Sequence, residues 1–323
     1  MLYDRIVRQG TINEPGGKPE PQFALPSTVN WMRAVRLLIE DTGIDFASAE
    51  EFYSRQQKRV MGVLVENTVL EQLFLSLHHL SALEQFCVGG KTSDYARVGI
   101  LAWYYGIANA ASAMTAAQSG TFQEDHAGTA RLWDSDIASR GLAMAPFNWR
   151  VSTLVEKEYK PQVAAYKKGS GGKLLSKPAT SSDALGAAAE YLSGSASWHA
   201  WRIKEDLMKS PEFKALQVDG FRTKAAQQLR DQRLSRKSVG FIHQASRYRG
   251  KANYREALFL AYGASTETIL TGFPDDLAKV LRAFLAMAGA FAKRKLGQDI
   301  WTSFVDDVEK SSSFSTRASS IWR

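Results

Sequence analysis

Apolar residues recur three and four positions apart over most of the chain, and no stretch sustains the two-residue alternation of a half-buried strand. The pattern predicts a mainly α fold. A short helix is expected over residues 29–41, stopping near Gly43. The longest apolar stripe follows, through Phe52, Val60, Val63, Leu64, Leu70, Leu73, Phe74, Leu77, Leu80 and Leu83. Ser48-Ala49-Glu50-Glu51 has the capping-box form that opens a helix, and Gly89-Gly90 closes the stripe. About forty residues exceeds the usual length of a globular helix, so a break near Gly62 or Asn67 is expected. The next helix starts at Ser93-Asp94, ends at Gln118 before Gly120, and is rich in alanine, which favours helix and close helix–helix approach. Helical periodicity returns over 182–209, with Asp183 as a cap and Trp198 and Trp201 three apart. The last clear helix follows Pro274, spans 275–295 and stops at Gly297. Asp275 and Asp276 open it and Lys293, Arg294 and Lys295 close it, the order the helix dipole favours.

The segments between these helices carry the breakers. Residues 10–28 are rich in Gly and Pro and read as an arm. Residues 141–182 hold Pro146, Pro161, Pro178 and the run Lys167-Lys168-Gly169-Ser170-Gly171-Gly172-Lys173, the strongest candidate for a mobile linker. The polar tail from Ser311 reads as loose, with Trp322 as a residue that could dock. The resulting plan is an arm and short helix (1–47), the first part of a bundle (48–140), a helical and loop insertion with a flexible linker (141–235), the second part of the bundle (236–300) and a tail (301–323).

Composition narrows the class. Hydrophobic residues make up 45% of the 323 and charged residues 23%, as in an ordinary globular chain. No apolar run reaches the length of a membrane span, and Met1-Leu2-Tyr3-Asp4-Arg5 lacks the basic-then-apolar order of a signal peptide, so a cytoplasmic protein is expected. The single cysteine, Cys87, rules out an internal disulfide and a multi-cysteine metal site, and reads as a small buried hydrophobe. His78 and His79 are adjacent and point to different helix faces, so they do not make a joint metal site. No P-loop, dinucleotide glycine fingerprint or Gly-x-Ser-x-Gly is present, and no cofactor is expected.

Charge changes the picture most. Ten Lys or Arg and one acid, Asp231, lie between Arg222 and Arg255, a net +9 in a chain whose total is +8, so the other residues sum to −1. Such a segment calls for an anionic counterpart, and polyphosphate is the commonest.

Two stretches carry a family resemblance. One is Ala102-Trp103-Tyr104-Tyr105-Gly106-Ile107-Ala108-Asn109-Ala110-Ala111-Ser112-Ala113-Met114 with His126-Ala127-Gly128 after it. The other is Tyr248-Arg249-Gly250-Lys251-Ala252-Asn253-Tyr254-Arg255 followed by the acid-started helix after Pro274. Their order and spacing resemble the HEPN (higher eukaryotes and prokaryotes nucleotide-binding) superfamily over roughly residues 50–140 and 240–300. The resemblance implies a helical bundle that commonly dimerises, here with the small-residue face over 96–117 as an available surface. It also implies a metal-independent ribonuclease, an effector of a bacterial toxin or phage-defence system. The family's active motif is Arg, four to six residues, then His. Here Arg236 and His243 have that spacing: the His would act as general acid or base and the Arg would clamp the phosphate. RNA is expected over DNA, because the 2′-hydroxyl is the internal nucleophile. In the subfamily paired with nucleotidyltransferase antitoxins a Tyr lies two after the His, and here that position is Ala245, which speaks against such a partner.

An arginine-rich segment supplies this spacing easily by chance, so the placement of the pair inside the basic segment gives it its weight. Arg233, Lys237, Arg247, Arg249, Lys251 and Arg255 are the candidate nucleic-acid contacts, with Tyr248 and Tyr254 either stacking on bases or anchoring the segment in the core. His126 reads as a loop-ordering residue, Tyr104 and Tyr105 as packing, and His199 as part of a half-buried aromatic cluster. On one continuous helix Arg236 and His243 would share a face about 10 Å apart along the axis; Gly240 between them makes a bend possible. A non-catalytic nucleic-acid-binding or scaffold subunit of a larger complex, and a module for an acidic protein, remain the alternatives.

Overall fold

The computed structural model describes residues 2–12, 21–88, 90–255, 257–263 and 265–323, the side chains of 2–4, 21, 22, 254 and 255 excepted. Residues 13–20 of the expected arm, and Gly89 of the expected helix stop, lie outside that description. In chain order the helices are α1 Leu2–Gln9, α2 Pro21–Thr42, α3 Phe46–Phe52, α4 Val63–Phe86, α5 Thr92–Ser119 and α6 His126–Leu132. They continue with α7 Glu156–Lys167, α8 Ser181–Met208, α9 Pro211–Lys214, α10 Lys224–Ser235, α11 Phe241–Gly250, α12 Thr266–Leu270, α13 Phe273–Leu296, α14 Gln298–Ser311 and α15 Ser319–Trp322. Among the described residues no strand forms; Val151 and Val239 make an isolated antiparallel bridge. The fold is mainly α, as the periodicity predicts. No helix among these residues is long and apolar enough to cross a membrane.

The core is built on α4, α5 and α13. Helix α5 approaches its neighbours closely because Gly106 has no Cβ: one placed there would stand 2.5 Å from Leu281 Cδ2 and 3.3 Å from His79 Cβ. The Ser76 hydroxyl donates to the Gly106 carbonyl across the same contact (2.8 Å). Ala96, Ala108, Ala110, Ala111, Ala113, Ala116 and Ala117 are buried within the chain. The small-residue face expected to serve a second copy is therefore occupied by the protein's own packing.

Helix boundaries follow local chemistry. The long stripe breaks where expected: α3 ends at Phe52 and α4 starts after Gly62, whose extended backbone is the N-cap. The α3 cap is Asp45, not Ser48. The Ser48 N–H donates to Asp45 Oδ1 (2.8 Å) while the Asp45 N–H donates to Ser48 Oγ (3.0 Å), a reciprocal pair that starts the helix earlier than the Ser-x-x-Glu pattern implies. Gly120 ends α5 with φ +74°, the left-handed conformation that glycine adopts without strain. Cys87, the C-cap of α4, is exposed and not a buried hydrophobe; its Sγ donates to the Leu83 carbonyl one turn back (3.4 Å).

Helix α7 forms in the region read as loop, with Pro161 inside it. It is held by burial of Tyr159, whose hydroxyl bonds Ser197 Oγ of α8 (2.8 Å). The Gly/Ser run beyond it lies against α8. The Leu174 N–H donates to Glu190 (2.8 Å), and Ser170 Oγ bonds the Ser182 carbonyl. Gly172 meets Gly186 backbone to backbone: a Cβ on Gly186 would stand 2.1 Å from the Gly172 carbonyl oxygen. Gly186→Ala is expected to cost about 1–3 kcal/mol by overpacking. Gly171→Ala, where nothing lies within 4 Å of a Cβ, serves as the control. A urea midpoint unchanged in Gly186→Ala would mean that this run does not pack on α8.

The end of the chain is ordered by α14 and α15. Trp301, Val305 and Val308 face inward. The Trp322 Nε1–H donates to the Leu285 carbonyl (3.1 Å), in space left by Gly289, where a Cβ would stand 2.4 Å from that nitrogen.

The second layer joins α2 to α8, α11 and α13. Trp31 of α2 stacks on Tyr191 of α8 (ring centroids 4.2 Å apart) and meets Tyr248 of α11 (4.7 Å) and Trp103 of α5 (5.8 Å). The Tyr248 hydroxyl donates to the Thr28 carbonyl (2.9 Å). Tyr248 is thus a core anchor within the basic segment, and it fixes the direction in which the flanking Arg247 and Arg249 leave the helix.

Candidate functional site

A cavity of about 610 Å³ opens between α6, α8 and α11. Its lining includes Arg131, Arg202, Arg236, Lys237, Arg247, Arg249 and Lys251 together with His126, His199 and His243, and among the described residues no carboxylate. Three of the chain's five histidines are therefore gathered at one place. A second cavity, of about 410 Å³ and bounded by α7, α8 and α10, contrasts with it. There Lys157, Lys160, Lys204 and Arg230 are offset by Glu156 and Asp231.

The start of α11 is fixed by a buried anchor. Asp134 is 4% exposed and accepts from Arg150 through both oxygens (2.9 and 2.7 Å) and from the Ser238 hydroxyl (2.6 Å). Burial pushes the Asp134 carboxyl up, but those hydrogen bonds and the nearby cations outweigh it and hold the group below the usual carboxylate range. Beside it Val151 and Val239 exchange both backbone hydrogen bonds (2.9 and 3.1 Å). A Cβ on Gly240 would stand 2.8 Å from Asp134 Oδ1, so only glycine fits the turn that begins α11. Arg236 is the C-cap of α10 and His243 lies in the first turn of α11. They are not on one continuous helix; the break at residues 237–240 sends both to the same cavity.

Each wall has its own support. Arg247 donates to Ser195 Oγ (3.1 Å) and stands over the Tyr191 and Trp198 rings at 5.4 and 6.0 Å. Arg249 stands 5.0 Å above the Tyr104 ring and donates to His126 Nε2 (2.8 Å), while its Nε is buried without a hydrogen-bond partner among the described residues. Arg202 lies over Trp198 at 5.2 Å. Lys251, 7% exposed, donates to Ser27 Oγ (2.9 Å). Arg131, Arg202, Arg236 and Lys237 are exposed and form the rim. Among the described residues no carboxylate lies within ion-pair distance of these four, or of Arg247 and Arg249.

The histidines are kept neutral. Burial and then the Arg249 charge lower His126, with Asp125 opposing. Burial lowers His199 to about 4, helped by His243, Arg247 and Arg202. Burial also lowers His243, with Asp134 opposing and Arg150 and Lys237 reinforcing. Their ring nitrogens differ in use. His243 Nδ1 accepts from the Gly240 N–H (3.2 Å), which leaves the proton of the neutral ring on Nε2. His126 Nε2 accepts from Arg249, so its proton sits on Nδ1. The His199 ring meets His243 edge to face at 5.7 Å, and its Nε2 is buried without a hydrogen-bond partner among the described residues.

Of the residues singled out in the sequence, Arg236, His243, Lys237, Arg247, Arg249 and Lys251 line this cavity. Arg233 does not: it sits exposed in the last turn of α10, where its charge acts on Glu212. The side chain of Arg255 lies outside the described residues. The +9 segment is therefore divided, since Arg230 pairs with Asp231 (2.8 Å) in the other cavity. Sequence reasoning gives His126 to loop ordering and Trp198 and His199 to an aromatic cluster, and it singles out neither Arg131 nor Arg202; all five line the cavity. The signal for the α8 group was available: Trp198 and Arg202 are four apart and His199 and Arg202 three apart, one helix face carrying two cation-compatible rings and a cation. His78 and His79 have separate partners, Phe314 and Tyr105.

The arrangement can bind an anion through paired guanidinium forks and imidazole N–H donors, in a concavity of the size that encloses a small ligand or one end of a larger one. No protein-family model, curated protein or solved structure matches the chain.

Proposed function

We propose that the protein is an RNA-binding ribonuclease of the HEPN type that acts without a metal ion. The observation that carries this reading is that Arg236 and His243, although on separate helices, line one basic cavity with no carboxylate among its described residues. In the proposed reaction the 2′-oxygen attacks the adjacent phosphorus and its proton passes to a cavity base. The bond to the 5′-oxygen breaks and that oxygen is protonated, leaving a 2′,3′-cyclic phosphate. Arg236, Arg247 and Arg249 stabilise the charge that builds on the phosphoryl oxygens. His243 supplies acid–base function through Nε2, which requires it to yield its long bond to the Gly240 N–H.

That requirement favours a second reading, in which the cavity binds nucleic acid without turnover. His243 Nδ1 and His126 Nε2 are both committed within the protein. The discriminating experiment incubates the protein with structured and unstructured RNA in EDTA. The ribonuclease reading expects cleavage that falls at least a hundredfold in His243→Ala, the usual size of an acid–base contribution. Cleavage lost in His199→Gln but kept in His243→Ala would move the acid–base role to His199. Salt-sensitive binding with no product would establish the second reading.

A further inference from the structure

We propose that the cavity is a socket for a compact triphosphate, either that of a free nucleotide or that of an RNA 5′ end, and that an internal stretch of phosphodiester backbone is not its preferred occupant. The inference rests on the phosphate-binding part of the reading above and not on cleavage.

Shape is the first argument. The cations arrive from α6, α8, the α10–α11 junction and α11, and they converge on one concavity of about 610 Å³. A track for a running strand needs basic residues strung along a surface. Of the other cations of the basic segment, Arg230 is paired with Asp231 in the second cavity, and Arg233 acts on Glu212.

Charge density is the second. Arg131, Arg202, Arg236, Lys237, Arg247 and Arg249 have no carboxylate partner among the described residues. A strand brings one negative charge per nucleotide, spread along its length. A triphosphate gathers several charges on neighbouring phosphorus atoms and neutralises more of the socket per volume.

Preorganisation is the third. One edge of each inner guanidinium is already used, Arg247 on Ser195 and Arg249 on His126, with aromatic rings beneath both. Planar forks held in this way have their remaining N–H groups fixed for bidentate contact with phosphate oxygens. The neutral rings of His243 and His126 add N–H donors that cost no further cation repulsion. Among the described residues no carboxylate lines the cavity, so the free polyphosphate, which keeps its full charge, should bind better than its magnesium complex.

The test is calorimetric titration of the full chain, at fixed ionic strength, with inorganic orthophosphate, pyrophosphate and tripolyphosphate. Nucleoside triphosphates and one RNA sequence carrying a 5′-hydroxyl or a 5′-triphosphate follow. Tripolyphosphate is expected to bind at least tenfold more tightly than orthophosphate, and the 5′-triphosphate RNA at least tenfold more tightly than its 5′-hydroxyl counterpart. Magnesium should weaken both, and the exposed rim changes Arg236→Gln and Lys237→Gln should weaken both without disturbing the fold. Nucleotides binding as tightly as the triphosphate RNA would identify the free nucleotide as the source, and tighter RNA binding the RNA end. Equal affinity for the two RNA forms, or for orthophosphate and tripolyphosphate, overturns the socket. The two readings separate cleanly: 5′-hydroxyl RNA bound and cleaved as well as the triphosphate form defeats the socket alone, whereas triphosphate RNA bound tightly and never cleaved defeats the ribonuclease alone.

Discussion

Asp134→Ala is expected to lower the unfolding free energy by about 3–5 kcal/mol, the usual consequence of removing one member of a buried ion pair. The Asp134 side chain is almost inaccessible, and it accepts both arms of Arg150 and the Ser238 hydroxyl. Its removal leaves a partly buried guanidinium and a hydroxyl without an acceptor, and it releases the segment that places Gly240 and His243. Arg150→Ala should be comparably damaging, because it strands the carboxylate. The double substitution should cost clearly less than the sum, since the second change removes a charge that the first left unpaired. Asp134→Asn, which keeps the shape, should fall between. Urea denaturation of the four proteins measures the cycle; simple additivity would mean that the pair is hydrated and does not anchor the site.

The second large effect is a loss of stability in acid that originates in the cavity. His199 is depressed to about 4 in the folded protein against 6.5 unperturbed. Between those values the unfolded chain binds more protons than the folded one, so this group's contribution is complete above about pH 6.5 and is lost as pH falls toward 4. A shift of this size corresponds to roughly 3 kcal/mol at ~1.36 kcal/mol per unit. His126 and His243 are shifted in the same direction and add to it. Comparing the wild type with His199→Gln at pH 7.5 and pH 4.5 isolates the group from the carboxylates that titrate in the same range. The wild type should lose more stability on acidification than the variant, and a bound polyanion should reduce the difference by favouring the protonated rings. Equal losses in the two proteins would show that His199 is hydrated.

Much of the fold is legible because its signals are local. Gly62, Gly120 and Gly297 mark real helix ends, and the stripes that define α4, α5, α8 and α13 are continuous in sequence. The misreadings have local causes as well. Proline and glycine at Pro161 and 169–172 look like breakers, yet α7 accommodates Pro161 and α8 accommodates the glycines, because burial of Tyr159 and a backbone contact at Gly186 reward order there. Serine at 311–313 hides the fact that Trp322 completes the α13 packing. Half of the site was readable, since the residues from Arg236 to Lys251 are adjacent in sequence. The other half was not: His126, His199 and Arg202 reach the cavity from positions more than thirty residues away, and the Trp198, His199 and Arg202 face of α8 marks a cation-compatible surface without showing what it meets.

Two short π-helical turns flank the cavity, Trp133–Ile137 running on from α6 and Lys251–Arg255 running on from α11. Each widens the last part of its helix, and π turns are rare and found frequently at functional sites. Asp134 lies in the first and Lys251 in the second, so the cavity's anchor and its deepest amine both depend on a helix that has slipped phase. Neither turn leads back into α-helix: the next described elements are the 3-10 turns Ala138–Arg140 and Ala257–Leu260. The cavity is bordered by two helix ends that widen before they stop, and its anchor and its deepest amine both stand where the regular register is lost.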